Sequence, residues 1–217
     1  MADFADLREQ MVRRQIEARG VTDPSILDAF RTVPRHAFVA EKYAEESYGD
    51  HPLPIEAGQT ISQPYIVAVM IEAARIRPGD KVLEVGAGSG YAAAVISRIA
   101  ERVIAIERKP ELVAVARERL QRLGYDNVVV VEGDGTRGWP EEAPFDAILA
   151  AASGSHVPPP LVEQLAPGGR LVMPIGEPGG IQHLVEVTRH PDGLLQQSDL
   201  GEVRFVPLIG EEGWRDD

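Results

Sequence analysis

Hydrophobic positions along this chain change their period from segment to segment. Phe4, Leu7, Met11 and Ile16 fall broadly on one face at helical spacing, with Arg13, Arg14, Glu17 and Arg19 elsewhere, so residues 4–19 are expected to form an amphipathic helix stopped at Gly20. Asp23-Pro24 offers an N-cap followed by proline at the first helical position, which predicts a second short helix to about Phe30. Residues 47–64 lose periodicity and are rich in glycine, proline and polar side chains. A loop of that length inside a compact chain is usually functional. Pro64 then opens a helix through Tyr65, Val69 and Met70 that ends near Arg75.

From Lys81 onward short apolar runs alternate with helical patterns. Strands are expected at 82–85, 103–106, 128–131, 145–149 and 170–173, with helices at 91–100, 111–123 and 161–165. Short continuous apolar strands separated by helices predict a parallel sheet covered on both faces. The tail reads differently. Residues 184–188, the turn Pro191-Asp192-Gly193 and residues 203–206 suggest antiparallel strands. The expected class is α/β, a doubly wound Rossmann-like, mostly parallel sheet with antiparallel C-terminal strands and an N-terminal helical extension. A single domain over 1–217 is expected, with N-terminal helices and a functional loop at 1–75, an α/β core at 80–176 and C-terminal strands at 180–210.

Charge and composition narrow the partners. A net charge of −12 and a pI near 4.9 lack the basic footprint of a duplex nucleic-acid binder. No apolar run reaches the roughly 20 residues that span a bilayer, and the acidic start Met1-Ala2-Asp3-Phe4 does not read as a signal peptide. The expectation is a cytoplasmic monomer with neither nucleic-acid nor membrane partners. The chain has no cysteine, which removes disulfides, thiolate nucleophiles and cysteine metal sites. His36, His51, His156, His183 and His190 are scattered, and no bound metal is expected.

The densest chemical signal is Val82-Leu83-Glu84-Val85-Gly86-Ala87-Gly88-Ser89-Gly90, followed by the helix start at Tyr91. Strand, glycine turn and helix N-terminus form a nucleotide-binding corner in which bare backbone can approach a ligand. The spacing of Gly86, Gly88 and Gly90 is Gly-x-Gly-x-Gly, not the dinucleotide Gly-x-Gly-x-x-Gly. Glu84 would be unwelcome beside a pyrophosphate but suits a cationic ligand, which points to S-adenosylmethionine. Glu107 ends the next strand, 21 positions after Gly86, where an acid can accept two ribose hydroxyls; a solvated strand-end acid is the other reading. Asp134, between Gly133 and Gly135, can accept from an adenine amino group or close an Asx turn. All three acids fall at C-terminal ends of successive strands, where ligands bind in open α/β sheets.

The acceptor is suggested partly by what is missing. Leu149-Ala150-Ala151-Ala152-Ser153-Gly154 replaces the Asn/Asp-Pro-Pro-aromatic run expected of an amine methylase acting on a base, and there is no cysteine for cytosine chemistry. A carboxylate acceptor is already ionised at neutral pH and needs no general base, only alignment and desolvation. Thr60 and Ser62 are candidates to orient it, or else to cap the helix at Pro64.

At this point the residues resemble the protein-L-isoaspartate O-methyltransferase family. The similarity is carried by Gly58-Gln59-Thr60-Ile61-Ser62-Gln63-Pro64-Tyr65, Val33-Pro34-Arg35-His36-Ala37-Phe38-Val39, the glycine run to Tyr91, Gly133-Asp134-Gly135, Ala143–Ile148, Gly168–Gly176 and Val203–Leu208, colinear over about residues 11–210. The resemblance implies methyl transfer from S-adenosylmethionine, leaving S-adenosylhomocysteine, to the α-carboxylate of isoaspartyl residues in damaged proteins. The ester would then cyclise to a succinimide that partly reopens to aspartate. It implies Ser62 as the active-site serine, and Gln59, Thr60 and Ile61 as lining cofactor and substrate. Glu107 would hold the ribose, Asp134 and Gly135 the adenine, and Val206 and Pro207 would lie by the substrate peptide. A relative that tailors an aspartate of a dedicated peptide precursor is the alternative. The chain departs from the family's usual residues at Glu56 and at Ala150–Ser153.

Overall fold

The computed structural model describes residues 3–216. Helix α1 (Phe4–Met11) starts at Asp3, whose carboxylate accepts from the Ala5 amide at 2.8 Å. The single helix expected over 4–19 is instead three helical forms: α1, a π-helical turn at Val12–Ile16 and a 3-10 turn at Glu17–Arg19, ended by Gly20 at φ +104°. The wider π turn rotates the later positions, so that Met11, Val12 and Ile16 all become fully buried. Helix α2 (Pro24–Thr32) is capped by Asp23 as expected.

The loop at 47–64 contains a two-stranded hairpin, β1 (Leu53–Pro54) and β2 (Thr60–Ile61), joined by a 3-10 turn at Glu56–Gly58. Helix α3 (Pro64–Ala74) follows and stops at Arg75, which is left-handed at φ +50°. The core then runs β3 (Lys81–Val85), α4 (Tyr91–Ile96), β4 (Arg102–Glu107), α5 (Pro110–Arg122), β5 (Val128–Glu132), β6 (Phe145–Ala150), α6 (Pro159–Glu163), β7 (Leu165–Ile175), β8 (Gln182–Arg189) and β9 (Leu195–Val203).

The seven-stranded sheet has the order β5-β4-β3-β6-β7-β8-β9, parallel through β7, with β8 and β9 antiparallel. Strand order reverses between β3 and β6, so the ligand crevice of a doubly wound sheet opens there. Val85 pairs with both Ile106 and Ala150, and Ile106 with Val131, which brings the C-terminal tips of four strands level. Both faces are apolar. Val82, Val103, Ala105, Ala147 and Leu149 pack toward the N-terminal helices and α3–α5, whereas Leu83, Val85, Ile104, Ile106 and Ile148 pack toward Leu161 of α6 and Trp139.

Three boundaries differ from the sequence pattern. Helix α4 ends at Ile96, and Ser97 closes it by donating its hydroxyl to the Ala94 carbonyl at 2.8 Å. Strand β7 begins at Leu165, ahead of the Gly168-Gly169 pair, and its register with β6 shifts between Phe145 and Ala147. The last strand lies at Leu195–Val203, not at 203–206. It is an exposed edge strand held by backbone pairing with β8, so it lacks the apolar alternation that residues 203–206 display. Those residues leave the sheet because other groups claim their backbone. Phe205 N–H donates to Gln182 Oε1 (2.6 Å), and Ser153 N–H donates to the Val206 carbonyl (2.8 Å).

Candidate active site

Four tips and two loops converge on the switch point between β3 and β6. Immediately after β3, Gly86, Gly88 and Gly90 have φ of +90°, +53° and +86°, a run of left-handed turns that only glycine makes without strain. The amides of Gly86 and Ala87 donate to the Ile106 carbonyl at 2.8 and 3.0 Å, which binds the loop to the end of β4. Gly86 and Gly88 face the cleft. Gly90 serves packing instead, since a Cβ there would sit 3.2 Å from Leu120 of α5.

Glu107 grips the same loop. Its Oε2 accepts from Gly88 N–H at 3.0 Å and its Oε1 from Lys109 N–H at 2.9 Å. It is 7% exposed and borders the cleft, so it is not a solvated strand end. A carboxylate oxygen has two acceptor sites, so both oxygens retain capacity for hydroxyl donors.

Glu84 is 2% exposed and its Oε2 has no hydrogen-bond partner. Burial, reinforced by repulsion from Glu107 and only partly offset by the Ala93 amide, pushes its carboxyl well above the usual range. It borders the inner end of the cavity with Gly86, Gly88, Thr60 and Ser62. An orphaned buried acid carries a cost unless a cation meets it, and the ammonium group of a methionine moiety is such a partner.

Asp134 turns elsewhere. Its Oδ1 accepts from the Thr136 amide (2.9 Å) and hydroxyl (2.7 Å), and its Oδ2 from the Glu211 amide (2.8 Å). Burial alone would raise its pKa, but those three donors and Arg137 outweigh it and hold the carboxyl below its ordinary value. Its visible work is an Asx cap that also pins the turn after Pro207. Gly135 is the member of the pair that borders the cleft. A Cβ there would fall 2.5 Å from Val85 Cγ1, so the chain passes β3 as bare backbone.

Opposite the glycine loop stands the hairpin β1–β2. Thr60 borders the adenosyl-sized cleft of about 370 Å³, the buried inner cavity, and a second groove of about 590 Å³. Ser62 borders the inner cavity and the groove. Neither hydroxyl caps α3, whose N-cap residue Gln63 makes no side-chain capping bond and donates its amide to Asp50 Oδ1 at 2.8 Å instead, and among the described residues neither has a hydrogen-bond partner. Gln59 and Gly58 form the rim of the cleft, and Ile61 is buried beneath it. Val206 borders both cleft and groove, whereas Pro207 borders only the cleft.

Two residues of this site carry no motif signal. Ala151 borders all three spaces, and its amide donates to the Val85 carbonyl at 2.9 Å. Gln182, fully buried, clamps Phe205 by accepting from its amide and donating to its carbonyl at 3.1 Å. Only the position of Ala151 just past a strand tip at the switch point could have marked it; nothing in the sequence marks Gln182. Among the described residues no group of three or more His, Asp or Glu is gathered to hold a metal.

A bare glycine cradle, a ribose-ready acid and a cation-seeking buried acid beside unspent hydroxyls define a methyltransferase that uses an adenosyl sulfonium. The chain's sequence matches the profile of the protein-L-isoaspartate(D-aspartate) O-methyltransferase family over residues 6–213. It is 55% identical to protein-L-isoaspartate O-methyltransferase 2 of Pelobacter propionicus, across 95% of this chain and 92% of that one. A solved protein-L-isoaspartate O-methyltransferase superimposes with a TM-score of 0.87 at 32% identity, covering 95% of this chain and 67% of the other. Another solved structure of this kind, from Plasmodium falciparum in complex with S-adenosyl-L-homocysteine, gives 0.80 at 29% identity, covering 93% and 98%. The chain belongs to the protein-L-isoaspartate(D-aspartate) O-methyltransferase family and is an S-adenosylmethionine-dependent enzyme that methylates isoaspartyl carboxylates.

Proposed function

We propose that the cleft and the groove divide the reaction between them, the cleft holding the cofactor and the groove the isoaspartyl peptide, with Thr60 and Ser62 at the junction. The observation that carries this reading is the pair of unspent hydroxyls between a cation-seeking acid on one side and an open groove on the other.

When bound, S-adenosylmethionine supplies an electrophilic methyl group on a cationic sulfur. Glu84 meets the ammonium of its methionine part, Gly86 and Gly88 give its backbone approach, and Glu107 accepts from the ribose. Gly135 borders the adenine, with Asp134 capping the turn that places it, while Gln59, Thr60 and Ile61 form the facing wall. The substrate's α-carboxylate is ionised, so no base is required. Ser62 donates its hydroxyl to one carboxylate oxygen and thereby aims the other. Thr60 and Ala151 exclude water from the reacting oxygen, which leaves it a better nucleophile. Val206, held by Ser153 at the edge of the groove, supports the peptide backbone, whereas Pro207 faces the cofactor cleft.

The enzyme works as a monomer. Among the described residues no helix is long and apolar enough to cross a membrane. Proteins repaired in the cytoplasm are the substrates, with neither nucleic acid nor membrane as partner, in keeping with the net charge of −12 and the lack of cysteine. The whole chain acts as one methyltransferase unit.

Matched peptides differing only in aspartate versus isoaspartate, incubated with methyl-labelled S-adenosylmethionine, test the assignment. Base-labile label, released as methanol, is expected on the isoaspartyl peptide alone. Equal labelling of both peptides, or label that resists base, would overturn it.

A further inference from the structure

The hairpin wall of the cofactor cleft is tied to the glycine-loop wall through one helix. Arg119 of α5 is 9% exposed and makes a two-point contact with Glu56, Nη2 to Oε1 at 2.7 Å and Nη1 to Oε2 at 3.3 Å. The next residue, Leu120, packs on Gly90 at the end of the glycine loop, as does Ala116 one turn earlier. Helix α5 therefore touches both sides of the cleft.

The segment held by Glu56 is a tight turn with an unfavourable backbone. Ala57 adopts φ +53°, a conformation unfavourable for a residue with a Cβ. Its neighbour Gly58 is also left-handed. The turn closes with Gln59 N–H to the Glu56 carbonyl (3.2 Å) and Ile55 N–H to the Gln59 carbonyl (2.8 Å), and Ile55 Cδ1 reaches over Gly88. A turn with unfavourable backbone persists when its surroundings over-determine it. Here the surroundings are a charge-assisted pair with fork-to-fork geometry, the stronger kind of hydrogen-bonded contact.

We propose that Glu56 and Arg119 are positioning residues that strap the β1–β2 hairpin closed against the glycine loop, and so set how long the cofactor and its demethylated product stay bound. Neither side chain borders the cleft; both act through Gly58, Gln59 and Thr60, which do. The proposal rests on the cleft being the adenosyl site.

The test measures S-adenosylhomocysteine binding by calorimetry and its release by stopped flow, on the full chain. Glu56→Gln keeps size while removing the charge and one of the two acceptor oxygens on the more exposed partner. It is expected to raise the dissociation rate and Kd about five- to tenfold. Hydrogen exchange should accelerate at the Ile55 and Gln59 amides and stay unchanged in β3–β6. Arg119→Glu is expected to be worse, and Glu56→Arg combined with Arg119→Glu to recover part of the loss. Wild-type release and exchange rates in Glu56→Gln would overturn the strap, as would faster exchange spread evenly over the molecule. Failure of the wild-type protein to bind S-adenosylhomocysteine would instead refute the reading of the cleft.

Discussion

At the level of single residues the site depends on side chains whose ordinary needs are unmet. Ser62 has a hydroxyl without a partner at the edge of an open groove. If it orients the substrate carboxylate, Ser62→Ala should lower kcat by roughly tenfold or more, the loss of one hydrogen bond to a charged group. The Kd for S-adenosylhomocysteine should stay as it is. Unchanged turnover in steady-state assays would reduce Ser62 to a bystander. Glu84 makes the opposite kind of demand. Its carboxyl is raised by burial and by Glu107, so the folded chain holds that proton more tightly than the unfolded chain does. That preference stabilises the fold below the unfolded pKa and is lost as pH rises through the folded one. Glu84→Gln is therefore expected to raise the melting temperature of the free protein, with a gain that grows as pH rises above the ordinary carboxylate range. The same substitution should weaken S-adenosylhomocysteine binding about tenfold by removing the partner of its ammonium. A gain that shrinks with rising pH in thermal unfolding would contradict this account of Glu84.

At the level of elements, the sequence was readable where local physics governs. Proline and aspartate signals placed α2 and the start of α3, and Pro110 and Gly124 bracket α5. Continuous apolar runs placed β3, β4 and β6, because strands buried on both faces are apolar nearly throughout, and the valine run placed β5 although it lies at the sheet edge with Val129 exposed. The pattern misled where backbone pairing replaces side-chain burial. Strand β9 is exposed along almost its whole length and has no apolar period, whereas residues 203–206 alternate like a strand and are instead pulled toward the site by Ser153 and Gln182. The π turn after α1 was hidden for a related reason: a one-residue shift in phase leaves each half of the helix looking regular by itself.

At the level of the whole molecule, the cofactor site is assembled from segments far apart in the chain, and its occupant should behave as an additional piece of core. Binding confined to the folded state adds about 2.7 kcal/mol at a ligand concentration a hundred times Kd. For a chain of 217 residues that corresponds to a rise in melting temperature of roughly 5–10 °C. Differential scanning calorimetry with and without saturating S-adenosylhomocysteine measures it directly. Adenosine alone should give a smaller shift, since it lacks the ammonium that Glu84 meets; equal shifts would remove Glu84 from the binding site.

By itself the sequence determined the reaction class. Glycine spacing, acids at strand ends and the Gln59–Pro64 block are local patterns, and each residue type is constrained by chemistry that acts within a few positions. Which of those acids faces which group was decided only in three dimensions. Gly133-Asp134-Gly135 reads equally as an adenine contact or an Asx turn, and the Glu211 amide, 77 residues away, claims the carboxylate. Glu56 reads only as a departure from the family's usual residue until Arg119, 63 residues later, is found bonded to it. Contacts of that separation exist only once the sheet has set its order and register, so no local pattern in the chain records them.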